Sequence, residues 1–231
     1  MPADLQSPMG PPADPRHAAS TVTPRRRHAA VTPRRAYPPH WVAPARFGDA
    51  TSGLIRPIAR SDFGRHLRFL AGLSLQTRYQ RLMSARRLGR DELIRLVDID
   101  YRREVALIAV VSDDPVDDAA PATGGRVIGV GRYVRGAGSG AAGDTDPDTA
   151  DFAMVVADQW QHRGVGVQLL ERLLAIAADE RVDCVTGLTL ATNQDMLRLA
   201  RRFGFAIAPE RGDWTLRRLS IVPSERRRPG G

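Results

Sequence analysis

Apolar residues along the middle of this chain recur in two rhythms, and each rhythm names an element. Near-continuous apolar runs at Glu104–Val111, Asp151–Ala157 and Cys184–Leu190 read as buried strands, with Arg126–Val134 as the partner of the first. Leu54-Ile55-Arg56-Pro57-Ile58 gives a short earlier strand, and Phe205–Ile207 and Trp214–Leu219 give two final ones. Helical spacing marks Phe63, Leu67 and Leu70, with Ser61 as the N-cap of a helix running to about Leu73. Further helices are expected at roughly Leu75–Ser84, Asp91–Val97, 164–179 and Asn193–Phe203. Antiparallel strands early and a strand-helix-strand-helix unit late describe an α/β domain. Its mixed central sheet should hold about six to seven strands flanked by helices.

Outside this patterned stretch the composition changes. Residues 1–50 are rich in Pro, Ala and Arg and repeat Val-Thr-Pro-Arg-Arg at 22–26 and 31–35. Proline at that density blocks helices and removes ladder donors, so 1–50 is expected to be a disordered extension, with order beginning near Gly53. The domain then spans 51–220, and 221–231 forms a basic C-terminal tail. The Asp/Pro/Gly-rich stretches 112–125 and 136–149 read as long loops.

Charge follows the same division. The net charge is +8, but residues 1–50 hold seven Arg against three Asp, and 221–231 hold three Arg against Glu225. The excess therefore belongs mainly to the tails and says little about an active site. A nucleic-acid contact of the N-terminal arm is one reading of it, low-complexity drift the other. All 34 basic residues are Arg and lysine is absent. Codon bias in a GC-rich genome explains that, as does escape from self-modification in a lysine-modifying enzyme.

No apolar run approaches the ~20 residues that span a bilayer, and no signal-peptide core opens the chain, so a cytoplasmic protein is expected. Cys184 is the single cysteine, placed as a small core residue in an apolar run. No His pair has ligand spacing with a carboxylate, so no metal is expected.

The candidate chemistry lies in Gln161-His162-Arg163-Gly164-Val165-Gly166, between a strand and a helix. Helix-opening N–H groups lack internal partners and the helix dipole adds positive charge there, which makes a phosphate cradle. Gly164 and Gly166 let the backbone approach a ligand. The plain alternative is a glycine turn of any α/β domain. No Gly-Lys-Ser/Thr follows, which excludes a P-loop, and the glycine spacing is not that of a dinucleotide fold. Gly129-Val130-Gly131 and Gly136–Gly140 open no helix and are given loop or bulge roles.

Gln-x-x-Gly-x-Gly resembles the acetyl-CoA pyrophosphate loop of the GNAT acetyltransferases. The resemblance extends through Ile55–Ile58, Leu73-Ser74, Thr77-Arg78-Tyr79, Asp100-Tyr101, Glu104–Ala109, Ala150–Val156, Leu190-Ala191, Asn193, Met196-Leu197 and Gly204-Phe205. Within the family it is most similar to the GNAT domain of Pat-type protein lysine acetyltransferases.

That resemblance implies a GNAT fold, acetyl-CoA as co-substrate, and direct transfer in a ternary complex. The backbone at Met154, Val155 and Val156 would pair with the pantetheine arm where two strands splay, and an N–H there would polarise the thioester carbonyl. Amides of Gln161, His162, Arg163, Gly164, Val165, Gly166 and Val167 would take the pyrophosphate. Asn193 would lie near the pantetheine, a helix N-cap being the alternative or companion role. Asp151 is the candidate general base, at a point where Pat-type domains carry Glu; being one methylene shorter, it favours a water relay. A solvated Asp at a strand start is the competing reading. The Tyr that many GNAT enzymes place seven residues after the Asn is Ala200 here.

The acceptor implied is the ε-amine of a protein lysine, for example on an acyl-CoA synthetase. The alternatives are a small-molecule amine, or a CoA-binding regulatory module with weak or no catalysis.

Overall fold

The structure, a computed structural model, describes residues 36–82, 88–112, 125–136, 146 and 148–225. The repeat at 22–35, most of the loops expected at 112–125 and 136–149, and the tail from 226 lie outside the described residues.

One eight-stranded sheet organises the domain. In chain order the elements are β1 (Ala43–Phe47), β2 (Thr51–Pro57), α1 (Phe63–Ala71), α2 (Leu75–Leu82), α3 (Arg90–Arg95), β3 (Glu104–Val111) and β4 (Arg126–Arg135). There follow β5 (Thr149–Val156), α4 (Val165–Asp179), β6 (Cys184–Leu190), α5 (Gln194–Phe203), β7 (Ala206–Glu210) and β8 (Asp213–Ile221). The strand order is β1-β2-β3-β4-β5-β6-β8-β7, antiparallel throughout except for the β5–β6 pair. The α/β mixed sheet stands as expected, with one strand more than the six or seven anticipated.

The extra strand is β1, inside the stretch assigned to the disordered extension. Ala45 and Phe47 alternate inward with Pro44 and Arg46 outward, and Phe47 is wholly buried. A period-two pattern this short is hidden by the surrounding Pro and Arg. Pro44 is tolerated because β1 is an edge strand. At the other end, β8 runs to Ile221 and a 3₁₀ turn to Glu225, past the boundary set at residue 220.

Helices on the two faces build two apolar clusters. One gathers Leu169, Leu170, Leu173 and Leu174 of α4 with Phe203 of α5 against Tyr133 and Phe152 of the sheet. The other packs Phe69, Leu73, Ile99 and Tyr101 against Ile108 and Val130. The glycines of Gly129-Val130-Gly131 serve the first cluster. A Cβ at Gly129 would lie 2.8 Å from Val165, and one at Gly131 2.7 Å from Leu173, so their absence lets α4 settle onto β4. The bulge expected there is present as well, since Ala109 pairs with Gly129 but Val110 with Val127.

Helix α1 differs from its expected start. A 3₁₀ turn over Arg60–Asp62 precedes it, and Ser61 lies inside that turn rather than at the cap. Asp62 fixes the entry instead. Its carboxylate accepts two bonds from Arg56 at 2.7 Å and one from the Ala59 N–H at 2.9 Å, with both charged side chains almost fully buried. The most buried stripe of α1 accordingly holds His66 and Phe69, with Phe63, Leu67 and Leu70 partly covered.

The feature that positions the site is the short β5–β6 ladder. It holds Thr149–Cys184, Ala150–Val185 and Asp151–Thr186, and stops there, although both strands continue. At the next position a Cβ on Gly187 would lie 2.7 Å from the Phe152 ring and 3.0 Å from its carbonyl. The ring fills that space and rests against Phe205 at 5.4 Å between centroids. Strands β5 and β6 part beyond this plug. Gly187→Ala therefore pushes an aromatic ring and a strand backbone. It is expected to cost about 1–3 kcal/mol, read as a lower denaturation midpoint with an unchanged m-value.

Candidate functional site

Parting of the strands leaves the backbone of Phe152–Val156 paired with β4 on one side only, while a cavity of about 340 Å³ opens on the other. Met154 and Val156 present half-buried side chains to it, and Val155 reaches it from a buried position. Alternate N–H and C=O groups on the β6 side of β5 are thus available to an extended ligand, because a main-chain polar group leaving water needs a partner. Gln161 takes one of them: its side-chain amide donates to the Val156 carbonyl at 3.3 Å and to the Thr77 hydroxyl at 3.3 Å.

The turn into α4 shapes the next wall. His162 (φ 59°) and Gly164 (φ 79°) both adopt left-handed backbone, the latter as the N-cap of α4. These turns bring the first-turn amides of α4 to the cavity, where Gly164, Gly166 and Val167 line it. No acidic side chain occupies that first turn to compete for the positive end of the helix. A Cβ at Gly166 would touch Met154, Leu199 and Val156 at 3.5–3.7 Å, so anything larger than a methyl enters the cavity.

Two of the loop residues turn their side chains away from the cavity, which leaves the backbone expectation for them untouched. The Val165 side chain is wholly buried in the core under β4. Arg163 lays its guanidinium over the Trp160 ring at 5.5 Å and approaches Asp49 at 3.9 Å. Its backbone carbonyl accepts from Gly48 N–H at 2.9 Å, so the β1–β2 turn braces the loop from behind. Gln168 adds a bond from its side chain to the Arg46 carbonyl at 2.7 Å. His162 stays on the cavity wall, 3.6 Å from the Asp195 carboxylate.

Asn193 takes the cap role and also faces the cavity. Its Oδ1 accepts from the Met196 N–H at 3.1 Å, capping α5, and the residue also lines the cavity, where its NH₂ group remains a donor.

The other side of the opening is α2, which sequence reasoning did not place in the site. Thr77, Gln80 and Arg81 line the cavity. Their i, i+3, i+4 spacing puts them on one helix face, and that polar stripe was the available signal. Asp158 anchors α2 by accepting from the Ser74 N–H at 2.9 Å, the Ser74 hydroxyl at 2.6 Å and the Thr77 hydroxyl at 2.7 Å. Burial acts to raise the Asp158 carboxyl, but these bonds outweigh it and hold the group below the usual carboxylate range. From α5, Arg198 and Arg202 complete the mouth, with Arg198 paired to Asp195.

Asp151 does not line the cavity. It is the last β5 residue paired with β6, and strand alternation turns it to the α1–α2 face together with Ala153 and Val155. Arg132 of β4 sits opposite Ala153 on that face and holds Glu104 at 3.0 Å. Arg81 crosses from α2 into the field of the Asp151 carboxylate. Burial, reinforced by Arg132, pushes the Arg81 guanidinium down to about 10, with Asp151 opposing. His66 is 3% exposed, and neither ring nitrogen has a hydrogen-bond partner. Burial, then the charges of Arg132 and Arg81, push it down to about 4. Cys184 is half-buried, and burial raises its thiol, in keeping with a packing role. Among the described residues no helix is long and apolar enough to cross a membrane.

Comparison with known proteins gives this arrangement its class. The acetyltransferase (GNAT) family model matches residues 100–205. The chain is 27% identical to acetyltransferase PA5475 of Pseudomonas aeruginosa over 167 residues, covering 72% of this chain and 80% of that protein. The crystal structure of the GNAT domain of S. lividans PAT superposes with a TM-score of 0.69 at 27% identity, covering 80% of this chain and 99% of that one. The Salmonella typhimurium protein yncA, solved with its cofactor acetyl-CoA, shares the fold at 16% identity and TM-score 0.56, over 76% and 96% of the two chains. The chain carries a GNAT-fold acetyltransferase domain. The strand parting and the helix-opening loop lie inside the span that the family model matches, and the α2 wall of the cavity, Thr77, Gln80 and Arg81, lies before it.

His66 yields a stability prediction with a definite sign. Its folded pKa lies below its unfolded value, so between about pH 6.5 and pH 4 the unfolded chain binds more protons. Stability from this group is full above about pH 6.5 and is lost as the pH falls towards 4, by about 3 kcal/mol in all. Denaturant unfolding at pH 7.5 and 4.5 should show the loss, and His66→Phe should flatten it.

Proposed function

We propose that this protein transfers the acetyl group of acetyl-CoA to the ε-amine of a protein lysine, by direct attack while both substrates are bound. The observation that carries the reading is the parting of β5 from β6 beside the α4 amides. It supplies an extended backbone edge and an anion cradle within one cavity.

The residues present fit the coenzyme. Amides at Gly164, Gly166 and Val167 face a diphosphate, without side-chain obstruction at Gly166. Met154–Val156 offer main-chain groups to the amide-bearing pantetheine arm, and Asn193 offers a side-chain donor. Val165 contributes its backbone alone, and Arg163 braces the loop through its stack on Trp160. Bound acetyl-CoA supplies a thioester carbonyl as the electrophile.

The acceptor arrives as an ammonium with a pKa of about 10.4 in water and must shed a proton before it attacks. The Asp151 carboxylate takes that proton, directly or through one water. Its place at the point where the strands separate puts it at the head of the gap, on the sheet face away from α4. A protein acceptor, such as an acyl-CoA synthetase, is supported by the similarity to the PAT GNAT domain and by the Pat-like residue blocks along the chain.

Purified protein with labelled acetyl-CoA should label lysine-bearing proteins in preference to a panel of small amines; the reverse preference would make it a small-molecule enzyme. Asp151→Asn should lower kcat/KM for the acceptor by about 10²–10⁴-fold while leaving coenzyme A affinity in place. Gly166→Val, which thrusts two methyls into the cavity, should weaken coenzyme A binding by about tenfold or more in a calorimetric titration. Coenzyme A affinity with no turnover on any amine would make the protein a binding module.

A further inference from the structure

We propose that Arg198 and Arg202 of α5 form a second anion subsite, which reads the ribose 3′-phosphate of the coenzyme and so selects coenzyme A over its 3′-dephospho form. The inference rests on the acetyl-CoA reading of the cavity and deepens it. Coenzyme A carries two anionic groups of different kinds. Its diphosphate is a linking diester, whereas its 3′-phosphate is a terminal monoester with about two negative charges near neutral pH. The amides that open α4 suit the first, because backbone N–H groups supply partial positive charge without any side chain. A terminal dianion calls for full positive charge and forked donors, which guanidinium groups supply.

Two such groups stand beside the cradle. Leu199 is where α5 meets the start of α4: a Cβ on Gly166, in the first turn of α4, would lie 3.6 Å from it. Arg198 precedes Leu199, Arg202 follows it by three residues, and all three line the cavity. The i, i+4 spacing puts both arginines on one helix face, one turn apart. Both are exposed, as a group that meets a solvent-facing end of a ligand must be. The other titratable residues on the cavity wall, among those described, are Arg81, His162 and Asp195. Arg81 belongs to α2, on the opposite side of the opening, and Arg132 and Asp151 lie on the α1–α2 face of the sheet without lining the cavity. Asp195 shares the α5 side. Its Oδ1 accepts from Arg198 Nη2, and His162 approaches its Oδ2 at 3.6 Å. That contact occupies one nitrogen of Arg198 and holds the fork beside the glycine turn, with further N–H donors left for a ligand. The α5 side of the mouth thus sets two guanidinium charges against one carboxylate.

The covalent structure of the coenzyme says where its monoester must be met. The 3′-phosphate is a few bonds from the diphosphate, at the end away from the thioester, so its partners belong next to the amide cradle and at the mouth. The inner wall offers it nothing, being formed by Met154, Val156 and Met196. An exposed ionic contact is screened by salt and is weaker than a buried one. Its yield is therefore a choice between two closely related ligands more than tight binding.

The test is calorimetric titration of coenzyme A and of 3′-dephospho-coenzyme A into wild type, Arg198→Gln, Arg202→Gln and the double variant. Wild type should bind coenzyme A about tenfold more tightly than the dephospho form. Raising the salt from about 0.05 to about 0.5 M should shrink that ratio. Each single variant should lower it, and the double variant should bring it to unity by weakening coenzyme A alone. Arg198→Lys with Arg202→Lys, which keeps both charges, should retain most of the preference. If the double glutamine variant is unstable, the two single variants carry the same comparison. Equal affinity of wild type for the two ligands would overturn the inference and leave the acetyl-CoA reading in place. An equal loss of both ligands in the double variant would also overturn it, assigning the arginines to the diphosphate. Wild type with no affinity for either ligand would overturn the acetyl-CoA reading, and the inference with it.

Discussion

Everything this protein does with a ligand depends on one interrupted ladder. Strands β5 and β6 are parallel partners for three residue pairs and then part, with the Phe152 ring seated where a side chain at position 187 would stand. A strand that loses its neighbour presents unpaired main-chain groups, which normally invite another strand. Here α2, α4 and α5 enclose the gap, so the invitation is extended to a small extended molecule instead. The same parting places Asp151 at the head of the opening while leaving it fixed by pairing on both sides, to Val134 and to Thr186.

The polar groups around the gap divide by face. On the side of α4 and α5, backbone amides and a capping amide suited to phosphate and to a peptide-like arm stand beside the exposed charges of Asp195, Arg198 and Arg202 at the mouth. On the side of α1 and α2 they are charged side chains removed from water, which is expensive unless each finds compensation. Arg56 with Asp62, and Arg132 with Glu104, meet that demand by close pairing. Arg81 meets it less completely, and its lowered basicity reflects this. A helix carrying such a group needs firm anchoring, which Asp158 and Gln161 provide from the loop on the coenzyme side. The two halves of the site are therefore mechanically one.

Much of this was legible in the sequence, for reasons that can be named. Strands β3 and β6 were placed to the residue because uninterrupted apolar runs bounded by turn residues leave little freedom. The loop at 161–166 was visible because glycines between a strand and a helix have few other uses. What escaped depended on tertiary context. Strand β1 was hidden by Pro44 and the arginines around it, although Ala43, Ala45 and Phe47 alternate as a strand should. Ser61 looked like a cap until the Arg56–Asp62 pair claimed the entry to α1. Arg163 was expected to offer its backbone amide to the anion, and where its side chain goes was not legible: it lies over the indole of Trp160. Arg81 carried no local signal beyond its place on a polar helix stripe, because the cavity it lines is built from strands and helices far along the chain.

The support that β1 gives from behind has a practical bearing on where this chain tolerates shortening. Trimming it to the first residue of obvious pattern, near Gly53, would strip β2 of its cover and bare a flat hydrophobic margin open to self-association. It would also remove Gly48 and Arg46, the N–H donor and the carbonyl acceptor that hold the rear of the glycine turn. An apparently dispensable proline-rich leader thus contains, in its last few residues, part of the scaffold on which the anion cradle is stretched.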